Sequence, residues 1–182
     1  MNENRFVALL RGINVGGNNL IKMIELRSSF AEMGFSEVET YIQSGNVIFS
    51  SKLKNKAKLT AMIEEALSEA FNYESKVVIV SASEIERVVA QAPKGFGKDP
   101  VGYRYDVIFV KEPLKPSEAL KDVPTAPGID DVAAGDHALY FRRLVSKAPQ
   151  SQLDKLVRRP VYKSVTIRNW NTTMKLLHMV QK

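Results

Sequence analysis

Within its first eighty residues the chain runs through six short segments, and the order of their hydrophobic periods narrows the fold more than any other feature. Residues 6–10, "FVALL", form a continuous apolar run, as expected of a strand buried on both faces or near the middle of a sheet. Met23, Leu26, Phe30 and Met33 then recur at spacings of three, four and three. That is one face of an amphipathic helix, with Gly34 as its stop. Val38, Thr40 and Ile42 alternate, as do Val47 and Phe49, around the turn signal "QSGN". Leu59, Met62, Ile63, Ala66 and Leu67 mark a second helical face, and residues 76–80 read as a strand. Strand, helix, strand, strand, helix, strand is the split βαβ, ferredoxin-like order.

The second half repeats that order with shorter elements. Ser83 and Glu86 are expected to form a capping box at the start of a connecting helix. "APKGFGKDP" has two prolines and two glycines and reads as a linker. Strands are expected at 105–110, at 130–134 and 138–142 around "GDH", and at 164–168. Helices are expected at 116–122 and 151–157 and from about Asn171 to the end. The expected fold class is α+β, with two consecutive ferredoxin-like (βαββαβ) subdomains and a C-terminal helix. Residues 1–80 make the first subdomain, 81–101 the connecting helix and linker, and 102–182 the second subdomain with that helix. A chain of 182 residues is long enough for two small cores.

Composition excludes more than it assigns. There is no cysteine, which removes disulfides, thiol nucleophiles and cysteine metal sites. No apolar run approaches the ~20 residues that cross a bilayer. The N-terminus lacks a basic region followed by an apolar stretch and a small-residue cleavage site. A cytoplasmic protein without a membrane partner is expected. Net charge is +6, but from Arg142 onward ten Lys/Arg face a single acid, Asp154. Such asymmetry marks either an anionic partner or a solvated basic face. Nucleic-acid binding through Arg142, Arg143, Lys147, Lys155, Arg158, Arg159 and Lys163 is therefore one candidate function, and an assembly module of open oligomeric state is another.

The leading candidate is a polar loop site. "GINVGGNN" (12–19) joins the first strand to the first helix, and "IQSGN" (42–46) joins the second and third strands. In a ferredoxin-like sheet these two loops emerge at the same edge, bringing together Arg11, Asn14, Asn18, Asn19, Gln43, Ser44 and Asn46. Glycines at positive φ can turn successive N–H groups toward an anion, amides add donors and acceptors, and Arg11 offers a bidentate contact. The plainer alternative is that Gly16 and Gly17 only make the turn while the amides cap helix and hairpin.

Known motifs are absent. The glycines are not followed by Lys-Ser/Thr as in a P-loop, no dinucleotide fingerprint occurs, and Phe6 and Phe49 alone do not make an RNA-recognition platform. His137 and His178 have no clear acid partner. Asp130, Asp131 and Asp136 gather near a turn that solvation explains, and Ser44 has no evident base. No catalytic residue, metal or cofactor is assigned, and catalysis is left open.

A last conspicuous stretch is "TIRNWNTTMKLL" (166–177), where Asn171 or Thr172 is expected to cap the final helix and Trp170, the only tryptophan, to plug the strand–helix junction. With "LLRGINVGGNN" and "YIQSGNVIFSS", it resembles the signature blocks of a bacterial family, domain of unknown function 1697. The resemblance implies an α+β fold of two ferredoxin-like subdomains and carries over no catalytic residues. The blocks coincide with polar loops rather than apolar faces, and loops on a rigid scaffold are where binding resides. Arg168, Asn169, Trp170 and Asn171 are accordingly expected to join the N-terminal loops in one site between the subdomains. Arg11 and Arg168 would be its charge partners, with Gly16, Gly17 and Asn18 as donors and Gln43, Ser44 and Asn46 as its polar wall. A small anionic or phosphorylated ligand, such as a nucleotide, fits that chemistry.

Overall fold

The computed structural model describes residues 4–14 and 16–182. Residues 1–3, expected to open the first subdomain, and Val15 of the glycine loop lie outside the described residues. The fold is α+β and forms two compact units. One comprises Met1–Ile85 with Leu176–Lys182, the other Glu86–Lys175.

The first unit runs β1 (Asn4–Leu10), α1 (Met23–Glu32), β2 (Ser36–Tyr41), β3 (Asn46–Ser51), α2 (Lys56–Phe71) and β4 (Val77–Ser81). Its antiparallel sheet has the order β2-β3-β1-β4. β1 is therefore central, pairing with β3 from Asn4↔Ser51 to Leu9↔Asn46 and with β4 from Phe6↔Ser81 to Leu10↔Val77. Its unbroken apolar run follows from that position, because residues 6–10 are buried on both faces. Phe6, Ala8 and Leu10 point into a core shared with Phe30 of α1 and with Leu59, Ile63 and Leu67 of α2. Phe49 is the hub of its aromatic cluster, with Phe6, Phe30 and Phe35 at ring-centroid distances of 5.6, 5.4 and 4.5 Å. Gly34, at φ +85°, ends α1 as expected. Asn55 caps α2 by accepting a hydrogen bond from the Lys58 N–H.

The helix α3 (Ala82–Ala90) begins earlier than the sequence suggested. Its capping box is Ser81 with Glu84, not Ser83 with Glu86. The Ser81 N–H and hydroxyl both donate to the Glu84 carboxylate, and the Glu84 N–H returns a bond to Ser81 Oγ. Glu84 also pairs with Lys56, both side chains being largely buried. Burial alone would push the Glu84 carboxyl up, but Lys56 and the Ser81 donors outweigh it and hold the group below the usual range.

In the second unit β5 (Tyr103–Val110) is central, α4 is the short helix Pro116–Ala119, and β6 (Asp130–Ala134), β7 (Ala138–Leu144) and β8 (Val165–Asn169) follow in that sequence. This antiparallel sheet has the order β6-β7-β5-β8. The helix expected at 151–157 is absent. Three short 3-10 stretches, Val145–Gln150, Leu153–Arg158 and Pro160–Ser164, connect β7 to β8 instead. Pro149 and Pro160 each remove a backbone donor on either side of the middle stretch. Leu153 and Leu156, three residues apart and both buried, suit the three-residue turn. The last helix, α5, is Trp170–Val180. Its cap is Asn169, whose Oδ1 accepts the Thr172 N–H at 2.8 Å, rather than Asn171 or Thr172.

Candidate functional site

The two N-terminal loops meet within the first unit, and Asn14 is the reason. Its Nδ2 donates to the carbonyls of Gln43 (2.9 Å) and Ile21 (3.0 Å), while its Oδ1 accepts the Ile21 N–H. Asn19 donates to the Gly12 carbonyl, and the fully buried Asn46 donates to the Tyr41 carbonyl and Ser44 Oγ. Gly45 closes the cluster at φ +78°. A Cβ there would lie 2.7 Å from Ile13 Cδ1 and 2.8 Å from Leu10 Cβ, so the residue must be glycine. Asn14, Asn19 and Asn46 thus brace the loops. None of them caps α1, whose N-cap Lys22 makes no side-chain capping hydrogen bond, though its ammonium pairs with Glu25 at 3.5 Å. Arg11 and Ser44 are half-buried, whereas Gly16, Gly17, Asn18 and Gln43 are exposed.

The second unit contains a cleft, and strand lengths create it. β8 pairs with β5 from Val110↔Val165 to Asp106↔Asn169 and then turns into α5. β5 continues through Tyr105, Arg104 and Tyr103, paired there with β7 alone. A cavity of about 260 Å³ opens beside that unmatched length, with Asn169, Trp170 and Asn171 on one side and Arg104, Asp106 and Arg143 on the other. Gly97 and Tyr103 complete its rim.

The stretch expected as a linker helps to build this wall. Phe96 is buried against Tyr105, Tyr140 and Trp170, with centroids 4.9, 5.5 and 5.2 Å away and all three rings near perpendicular to it. Tyr140 donates to the Val88 carbonyl at 2.6 Å, and burial pushes its hydroxyl up to about 12.

Polar groups in the cleft are poorly satisfied by the protein itself. Asp106 is only 9% exposed, and its Oδ2 accepts no hydrogen bond. The nearest cation, Arg143 Nη2, stands 3.9 Å away, beyond hydrogen-bond length. Arg143 reaches Asp154 at the same distance, and its buried Nε has no partner. Burial pushes the Asp106 carboxyl above the usual carboxylate range, against the pull of Arg143 and Arg104. Arg104 is exposed and makes no ion pair among the described residues. With its oxygen bonded to Thr172, the Asn169 amide has its NH₂ donors left to offer.

Arg168 lies elsewhere in this unit. It is buried, 8% exposed, and its guanidinium donates to Thr166 Oγ1 and the Ile167 carbonyl. Desolvation lowers it to about 10. The three aspartates do separate work rather than sharing a solvated turn. Asp130 is buried and accepts from the Ala126 and Gln152 N–H groups, Asp131 pairs with Arg142, and Asp136 bonds Gln91. In the basic C-terminal third, Arg142 and Arg159 are held by Asp131 and Asp122 at 2.8 and 2.7 Å.

Sequence reasoning singled out Asn169, Trp170 and Asn171, as companions of the N-terminal loops, and Arg143, as part of a basic surface, but named neither Arg104 nor Asp106. A signal existed. Arg104, Asp106, Ile108 and Val110 alternate along one strand face that ends in a core, which places a charged pair at the edge of buried apolar surface.

Among the described residues no helix is long and apolar enough to cross a membrane. No curated protein matches the chain. A solved structure described as that of conserved bacterial protein SP0830 from Streptococcus pneumoniae is 27% identical, covers 100% of both chains, and superposes with a TM-score of 0.87. The family described as "Protein of unknown function (DUF1697)" matches residues 3–140, β1 through the middle of β7, and the chain belongs to that family.

Proposed function

We propose that this protein binds a small anionic, phosphorylated ligand in the cleft of its second unit. The observation that carries the reading is Arg143. A guanidinium lies at the cleft wall with Nε unpartnered and both carboxylate neighbours at 3.9 Å, which is a weak hold on a charge that a phosphate would grip bidentately. Arg104 at the rim and the Asn169 and Asn171 amides supply further donors, and Trp170 supplies an apolar wall. Arg168, expected as a charge partner, is buried and bonds Thr166 and the Ile167 carbonyl of its own strand.

The loops of the first unit belong to the same reading as a second polar surface. There Gly16, Gly17, Asn18 and Gln43 are exposed and Arg11 is half-buried, while Asn14, Asn19 and Asn46 hold the backbone. Each unit is read as a ferredoxin-like subdomain, supported by strand orders that place the first strand between the third and fourth. The subdomain limits are 1–80 and 102–182, and the setting is cytoplasmic.

Calorimetry with ribose 5-phosphate and with ribose tests the binding. The phosphate should bind and the sugar should not, and Arg143→Ala should weaken the phosphate at least tenfold. A ligand at 100 times its dissociation constant also adds about 2.7 kcal/mol of stability, readable as a thermal shift. Equal behaviour of ribose and ribose 5-phosphate would refute the anion reading.

A further inference from the structure

We propose that the phosphorylated ligand is a nucleoside monophosphate, held by the face of its base rather than by its edge; this deepens the anion reading above and rests on it for the phosphate alone. The argument starts from the apolar side chains that line the cleft. They are Pro100, Tyr103, Tyr105 and Trp170, with no leucine, isoleucine or valine among them. Rings offer a flat, polarisable surface, and a base has a π-face to set against it. A sugar phosphate alone would engage the polar groups and leave these rings idle.

The two half-buried rings are fixed by the protein itself. Trp170 meets Phe96 near perpendicular at 5.2 Å and lies against the bare backbone of Gly97. Arg142, itself paired with Asp131, stands 4.8 Å from the centroid of the Tyr103 ring. Both Trp170 and Tyr103 nonetheless keep surface open at the cleft. Walls ordered in advance cost a ligand less on binding.

The polar lining sorts into two sides. Arg104 and Arg143 are directly opposite each other on β5 and β7, and both line the side of the cleft that faces Asn169, Trp170 and Asn171. A base laid on the indole therefore directs its phosphate toward two neighbouring guanidinium groups. On the base side the exposed polar groups are amides. The Asn171 amide carries both a donor and an acceptor, so it suits a purine or a pyrimidine edge equally. Asp106 is buried and takes no part. The cavity of about 260 Å³ has room for one base with part of its sugar.

Because Trp170 is the only tryptophan, its emission reads base contact directly. The test is fluorescence titration and calorimetry on the full chain with adenosine monophosphate, guanosine monophosphate, adenosine and ribose 5-phosphate. Both nucleotides should quench the emission saturably, agree within about threefold in affinity, and bind at least tenfold more tightly than ribose 5-phosphate, which should leave the emission unchanged. Trp170→Leu should collapse the ratio of nucleotide to ribose 5-phosphate affinity. If that variant does not fold, the quenching arm on the parent decides alone. Nucleotide binding that leaves the emission unchanged would overturn the proposal, as would a tenfold preference between the two bases or no binding of either nucleotide. Adenosine that binds and quenches without any ribose 5-phosphate binding would support the ring site and sink the anion reading. Ribose 5-phosphate that binds as tightly as the nucleotides would do the reverse.

Discussion

A Cβ on Gly97 would stand 2.3 Å from Nε1 of Trp170, so the indole is seated against bare backbone. Gly97 also holds φ +79°, a conformation that side chains rarely adopt. Gly97→Ala should therefore destabilise the protein by more than about 1 kcal/mol and push the indole from its seat. Because Trp170 is the only tryptophan, its emission maximum reads that displacement directly. An unchanged spectrum and an unchanged urea midpoint would contradict the seating.

Asp106 makes a pH-dependent prediction. Its carboxyl titrates higher in the folded chain than unfolded, so the ionised form is penalised on folding. The penalty is absent below the unfolded value of 3.8 and complete once pH has risen past the folded value. Asp106→Asn should consequently be more stable than the parent at pH 7. Its advantage should shrink as pH falls and vanish near pH 3, on denaturant titration at each pH. A variant less stable at pH 7 would show that the carboxylate is better satisfied than its surroundings indicate.

Glu84 has the opposite sign. Lys56 and the Ser81 donors hold its carboxyl low, so its contribution is present above the unfolded value and is lost as pH falls through the folded one. Removing one member of a largely buried pair costs about 3 kcal/mol. Glu84→Gln should lose roughly that much at neutral pH, and parent and variant should converge in acid. Parallel stability curves down to pH 2 would rule this out.

Asn14 ties two loops together through three hydrogen bonds. It also sits at φ +53°. Asn14→Gly keeps the backbone conformation and removes the bonds, while Asn14→Ala adds left-handed strain worth about 1–2 kcal/mol. The expected order of urea midpoints is parent, Asn14→Gly, Asn14→Ala. The glycine variant alone should lose about 2 kcal/mol.

The sequence disclosed the strand and helix order of the first unit because one period dominates each segment, as with the buried run of β1 or the spacing of Leu59, Ile63 and Leu67. It also disclosed that residues 12–19 and 42–46 are neighbours, since that follows from connectivity. It did not disclose which amides face inward. Asn14 and Asn18 look alike in the sequence, and only backbone geometry separates a brace from an exposed donor. The connection between β7 and β8 reads as a helix in the sequence because the spacing of Leu153 and Leu156 fits a 3-10 turn and an α-helix equally well. The cleft was half legible. Its amides and tryptophan stood out by residue type, whereas Asp106 and Arg143 join it through the difference in length between β5 and β8.

That difference in length also leaves a hazard to be managed. Where β8 stops at Asn169, β5 runs on through Tyr105, Arg104 and Tyr103 with one flank unmatched, and a bare flank of this kind recruits strands from other chains. Three features discourage such recruitment here. Arg104 places a charge on it, the Tyr103 N–H is already bonded to the Asp99 carbonyl, and Trp170 beside Gly97 narrows the approach. The same few residues that keep a cleft open to a small molecule thus keep it closed to a neighbouring polypeptide, and a substitution such as Arg104→Val would be felt first as loss of solubility.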